Sequence, residues 1–142
     1  MIILDTDCVS LFEREKHSEL SALRSNLAHF DAEDIATTII TYEEQMRGWM
    51  AYLTKCKDIN EQIYAYQRLN QSLENFRRIN VLQFDEAAAN IFKSLKSQKI
   101  RIGTMDLKIA SIAISRNAIL VSRNLKDFEE VPNLVVKDWT IG

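Results

Sequence analysis

The chain has 142 residues, the length of one ordinary domain, with 46% hydrophobic and 27% charged residues, which excludes a fold that needs disulfide or metal staples to bury a core. With Gly 3 and Pro 1 there is no room for low-complexity linkers, and the apolar content excludes a disordered chain. A net charge of −2, from Lys+Arg 18 against Asp+Glu 20, excludes a general attraction for nucleic acid, so any such contact is local.

Taken in chain order, Ile2–Leu4 predicts a short buried strand ending in Asp5-Thr6-Asp7, where Thr6 or Asp7 can cap a helix that begins near Cys8 and carries Val9, Leu11 and Phe12. A second amphipathic helix is expected over 18–30, with Leu20, Leu23 and Leu27 spaced by threes and fours. Ile35–Ile40 is rich in β-branched residues and predicts a buried strand; Thr41-Tyr42-Glu43-Glu44 then reads as a capping box starting a helix at Thr41. From Asp58, the positions Ile59, Ile63, Tyr66, Leu69, Leu73, Phe76 and Ile79 form one apolar stripe on a helix of about six turns. The two helices make a hairpin over about 41–79, whose stripe reads as core packing within the hairpin or, alternatively, as a partly exposed face.

Val81–Phe84 predicts a third strand, and Asp85 can cap the Ala-rich helix that follows, with Ile91, Phe92 and Leu95 inward. Residues 99–103 read as a loop, Thr104 as the cap of a helix running through Ile114, Ala118–Val121 as a strand and Val131–Val136 as the last one. Repeated strand, helix, strand alternation implies an α/β fold, a three-layer α/β/α arrangement around a mostly parallel sheet, in a single domain over 1–142.

Residues 109–114 and 118–121 are the longest apolar stretches, far short of the roughly 20 that span a bilayer. The N-terminal Met-Ile-Ile-Leu-Asp has no basic segment followed by an apolar run, so a cytoplasmic location without membrane contact is expected. Cys8 and Cys56, with His17 and His29 scattered, have no zinc or disulfide spacing. Lys93, Lys96, Lys99 and Arg101 read as a solvated helix face.

Asp5, Glu44, Asp106 and Asp127 each follow a predicted strand or open the helix after one, the side on which a parallel α/β sheet places its chemistry. Each has an individual alternative. Asp5 is equally read as a cap, Glu44 as the last member of the capping box, Asp106 as an acid favoured by its helix dipole, and Asp127 as a solvated loop residue beside Asn124. Their shared address favours a cluster, and several carboxylates together repel unless a divalent ion joins them.

The segments Leu4–Asp7, Thr41–Gly48, Met105–Ala110, Val121–Phe128 and Val131–Leu134 followed by Asp138-Trp139 resemble the PIN-domain ribonucleases, most closely the VapC-type toxins of bacterial toxin-antitoxin pairs. The resemblance runs over residues 3–139. It implies a PIN-like fold with a protruding helical hairpin and a magnesium- or manganese-dependent endoribonuclease, with Asp5, Glu44, Asp106 and Asp127 at the acidic metal-binding positions. Thr6, Asp7, Ser122 and Asn124 take accessory polar positions. It further implies an RNA substrate, tRNA among the candidates, a cognate antitoxin docking on the hairpin, and a homodimer. Glu43 and Gln45 stand where the family has hydrophobic residues, which leaves the choice between Glu43 and Glu44 open, and Asn124 shares the fourth position with Asp127. Lys108, Arg123 and Lys126 are candidate RNA contacts, with plain surface charge as the alternative.

Two other readings compete. Asp5-Thr6-Asp7-Cys8-Val9 after a strand also looks like the opening of haloacid-dehalogenase-type phosphatases, with Asp5 as nucleophile. A protein-binding module of the same fold, its acids serving only as caps, is the non-enzymatic alternative.

Overall fold

The computed structural model describes residues 1–14 and 17–141. The strands are β1 (Ile2–Leu4), β2 (Ile35–Thr38), β3 (Asn80–Leu82), β4 (Ile119–Val121) and β5 (Val135–Lys137). Among the described residues they form one sheet in the order β3-β2-β1-β4-β5, every neighbouring pair parallel. The helices are α1 (Thr6–Arg14), α2 (His17–Leu27), α3 (Ile39–Lys55), α4 (Ile59–Arg77), α5 (Glu86–Ser97), α6 (Thr104–Ser115) and α7 (Leu125–Phe128).

Side chains alternate across each strand, so each face of the sheet collects its own apolar layer. Ile3, Ala36 and Leu120 pack with α5, α6 and Phe128 of α7. Ile2, Leu4 and Val121 pack with Leu11 of α1, Leu20, Leu23 and Leu27 of α2, and Phe76 of α4. The expected three-layer α/β/α arrangement is therefore observed. No helix among the described residues is long and apolar enough to cross a membrane.

β1 lies between β2 and β4. The chain moves from β1 through β2 to β3 on one side and later lays β4 and β5 on the other, so the carboxyl ends of β1 and β4 flank a topological switch point, where open α/β sheets form crevices. The Thr37 hydroxyl donates to the Leu4 carbonyl at 2.8 Å, satisfying an acceptor where β1 leaves the sheet.

Several boundaries differ from expectation. β2 stops at Thr38, and Ile39 and Ile40 already belong to α3. Thr38 is the cap, its hydroxyl accepting from the Thr41 amide at 3.1 Å, so the helix starts earlier than the Thr41 capping box predicts. Asp5, rather than Thr6 or Asp7, caps α1 by accepting from the Cys8 amide at 2.9 Å. Gly103 occupies the cap position of α6 without a side-chain hydrogen bond, and Thr104 is the first helical residue. The last strand is Val135–Lys137, shorter and later than Val131–Val136.

The hairpin forms from α3 and α4, and the predicted stripe divides: Phe76 is buried and Leu69 and Ile79 are half-buried, as a core reading expects, while the rest is exposed. Ile59, Ile63, Tyr66 and Leu73 are 71%, 54%, 57% and 49% exposed, whereas Ala65, Ser72 and Phe76 are buried. The inward face takes Ala65 and Ser72 together with Phe76 of the predicted stripe, because both rows recur at helical spacing and periodicity alone does not say which residues meet the sheet.

Candidate active site

Asp5 follows β1 directly and is 5% exposed. Its Oδ1 accepts from the Cys8 amide, and its Oδ2 accepts from the Ser122 hydroxyl at 2.5 Å. Ser122 follows β4, which pairs with β1, so the sheet itself aligns donor and acceptor. Burial pushes the Asp5 carboxyl above its ordinary range, a rise that these hydrogen bonds oppose and the charge of Asp7 adds to.

Glu44 reaches the same region from the second turn of α3. Its Oε1 accepts from the Thr6 hydroxyl at 2.6 Å, and the Thr6 hydroxyl lies 3.2 Å from that of Thr41. The glutamate is thus oriented by the opening residue of α1 rather than by a capping box. Its neighbour Glu43 turns to Arg47, with an ion pair at 2.5 Å on an exposed face. Of the two glutamates, Glu44 faces the other acids.

Asp106 sits in the first turn of α6, where the helix dipole favours a carboxylate. Its pKa is nevertheless pushed up to about 6, first by burial and then by the charges of Glu44, Asp5 and Asp127. Residues from four separate segments therefore act on one another at the carboxyl edge of the sheet. Asp127, in α7 rather than in a loop, accepts from the Asn124 side-chain amide at 3.1 Å. The Asn124 backbone amide in turn donates to Ser122 Oγ at 2.9 Å. Asn124, Asp127, Ser122 and Asp5 form one hydrogen-bonded chain across the switch point.

Among the described residues, no three His, Cys, Asp or Glu side chains close into a ready-made metal cage. Mutually repelling carboxylates spread apart without a cation, and magnesium retains several waters, taking only one or two carboxylates directly. The donor set, all carboxylate with hydroxyl and carboxamide oxygens beside it, fits such a hard ion.

The expected RNA contacts divide. Lys126 is exposed and Lys108 half-buried. Arg123 is engaged within the protein: its Nε and Nη2 each donate to Asp7 at 2.6 Å, and its Nη1 donates to Glu19. The guanidinium is thus a strut between α1, α2 and the turn that carries Asn124, rather than a free phosphate contact. Asp7, expected beside the acids, faces Arg123 in this strut. Cys8 is fully buried and its thiol is pushed far above the ordinary range by burial and by Asp5, so it supplies no thiolate nucleophile at neutral pH.

Sequence reasoning missed an aromatic cluster beside Glu44. Trp49, Tyr52 and Tyr64 have ring centroids 5.7 to 6.2 Å apart, and the signal was the spacing of three between Trp49 and Tyr52.

A parallel α/β/α fold with four acidic side chains drawn together at its switch point places the candidate site where open α/β sheets form their ligand crevices. The chain matches the PIN domain over residues 2–134 and belongs to that family. It is 28% identical over 142 residues to ribonuclease VapC1 of Haemophilus influenzae, covering 97% of each chain. It is 37% identical over 67 residues to the tRNA(fMet)-specific endonuclease VapC of Shigella flexneri, covering 44% of this chain and 51% of that one. Among solved structures, VapBC2 of Rickettsia felis bound to a DNA fragment from its promoter superposes with a TM-score of 0.71 at 29% identity, over 98% of this chain and 99% of that one. The family match gives no support to the dehalogenase alternative or to the non-enzymatic one.

Proposed function

We propose that this chain is a VapC-type, divalent-metal-dependent endoribonuclease, the toxin of a toxin-antitoxin pair, acting on RNA in the cytoplasm. The observation that carries the reading is the convergence of Asp5, Glu44, Asp106 and Asp127 at the carboxyl edge of the sheet, held there by Ser122, Thr6 and Asn124, with Asp106 raised first by burial and then by the other three charges. Asp5, Asp106 and Glu44, with Asp127 and Asn124 as the second half-site, would hold magnesium or manganese. When bound, such an ion polarises a phosphoryl oxygen and activates water for hydrolysis.

The chain's own residues supply orientation. Ser122 and the Cys8 amide fix both oxygens of Asp5, and Thr6 fixes Glu44, so the carboxylates are preorganised by donors rather than by each other. Below pH 6, Asp106 holds a proton and the cluster's negative charge falls.

A partner is supported by two apolar surfaces. One is the exposed α4 row of Ile59, Ile63, Tyr66 and Leu73. The other is a cavity of about 340 Å³ between α1, α2 and α4, lined by Leu4, Val9, Phe12, Leu27 and Phe76, which contains none of the acids. Such surfaces suit an antitoxin's apolar helix. A homodimer is read from the family relationship and is checked by light scattering.

The test is incubation of purified protein with total RNA and with individual tRNAs, with magnesium or with chelator, followed by mapping of the cut ends. Discrete cuts with magnesium, absent with chelator and with Asp5→Asn, are expected. Cleavage unaffected by chelator or by Asp5→Asn overturns the proposal.

A further inference from the structure

Next to Glu44 lies a cavity of about 380 Å³ lined by Thr6, Ser10, Gln45, Gly48, Trp49 and Tyr52 as well as Glu44 itself. From these observations we infer that it is a nucleobase subsite, which seats an unpaired base of the RNA flanking the cut, stacked on the Trp49, Tyr52 and Tyr64 cluster. The inference rests on the ribonuclease reading and adds how the substrate is held.

Four observations carry it. The cavity shares Thr6 and Glu44 with the proposed cation site, so its occupant lies beside the scissile phosphate. The aromatic rings are accessible, Tyr52 at 41% and Tyr64 at 51%, and aromatic faces beside a nucleic-acid path bind bases without regard to sequence because every base has a π-face. The wall is polar where an edge would sit: Gln45 Nε2 donates to Ser10 Oγ at 2.7 Å, and Ser10 donates to the Thr6 carbonyl at 2.9 Å. The Gln45 carboxamide oxygen, on the same half-exposed side chain, can accept from a base N–H. Finally, a Cβ at Gly48 would meet no heavy atom within 4 Å. Packing does not demand a glycine there; its effect is to keep this wall of the cavity low.

The path continues. A second cavity, lined by Tyr52, Lys55, Cys56, Glu61 and Tyr64, shares both tyrosines with the cluster and adds one cation and one anion. Glu44, Tyr52 and Lys55 fall eight and three residues apart, roughly 12 and 4.5 Å along the helix, a track leading away from the acids. A protein partner is the other occupant such a face admits, but the junction with Glu44 and the carboxamide acceptor favour a base.

The test maps the cut site on a cleaved oligoribonucleotide and then places one abasic ribonucleotide at each flanking position in turn. With wild-type protein, one position is expected to raise KM by about tenfold or more, as loss of one aromatic-stacked base does. In Tyr52→Ala that position loses its sensitivity, and Tyr52→Phe keeps it. If Tyr52→Ala does not fold by circular dichroism, Tyr64→Ala, at the more exposed ring, replaces it. Cleavage by the wild type with no sensitive position, or sensitivity unchanged in the alanine variant, overturns the subsite while the ribonuclease reading stands, and is the result expected if the face seats a protein. Failure of the wild type to cut any RNA with magnesium removes both.

Discussion

Asp106→Asn is expected to stabilise the metal-free protein at neutral pH while abolishing its activity. In the folded chain this carboxyl titrates at about 6 against an ordinary 3.8. The folded state therefore prefers the neutral form. That preference stabilises fully below pH 3.8 and is lost as pH rises through 6, so at pH 7.5 the ionised wild type carries the whole penalty and the amide variant carries none. At about 1.4 kcal/mol per pH unit the gap corresponds to about 3 kcal/mol, and solvent screening of this half-buried group reduces it to about 1–2 kcal/mol. The helix dipole, worth roughly 0.3–1 kcal/mol in favour of the charge, is the smaller effect. Thermal denaturation in chelator should show Asp106→Asn melting roughly 3–6 °C above wild type at pH 7.5 and together with it at pH 3.5. Saturating magnesium should reverse the order, because an ion that binds the folded wild type stabilises it by mass action. A variant no more stable than wild type in chelator at pH 7.5 would refute the claim that Asp106 is held against neighbouring charge.

Three further outcomes follow from the same geometry. Glu44→Gln should lower magnesium-dependent RNA cleavage by at least about a hundredfold, as loss of a ligand or its support does, whereas Glu43→Gln, on the Arg47 side, should stay within about twofold of wild type; a single-turnover assay on one RNA distinguishes them. Ser122→Ala leaves Asp5 Oδ2 buried without its donor, so urea denaturation should report a loss of about 1–3 kcal/mol together with weakened cleavage. Arg123→Lys exchanges a planar fork for a point charge at the Asp7 and Glu19 strut, and should cost about 1 kcal/mol or less of stability, since all three side chains are partly exposed. Its larger effect should be on kcat, through displacement of Asn124 and Asp127; equal loss in Arg123→Lys and Arg123→Ala would confirm that bidentate geometry, not charge, is what matters.

The layered fold was legible because the strand-forming runs are short, apolar and β-branched, and because helical spacing is clear in residues 18–30 and 86–97. The acids could be located for the same reason: the end of a strand or the first turn of a helix is a position that sequence marks well. What sequence could not mark were choices among equivalent hydroxyls and equivalent helix rows. Thr38 and Thr41 are both plausible caps, and only the end of the pairing of β2 with β3, at Thr38 opposite Leu82, selects the first. Ile59, Ile63, Tyr66 and Leu73 look as apolar as Phe76 in the same stripe, yet of these five Phe76 alone is buried, beside Ala65 and Ser72. Arg123 was legible as a cation near the acids but not as a strut, since its partner Glu19 lies 104 residues away.

Asp5, Glu44, Asp106 and Asp127 are proposed to form one divalent-cation site. Substoichiometric manganese added to isotopically labelled protein broadens the amide signals of residues close to the ion, and the four residues should broaden together with Ser122 and Asn124, an effect lost in Asp5→Asn combined with Asp106→Asn. Broadening confined to one of the four acids, or equal in wild type and the double variant, would contradict it.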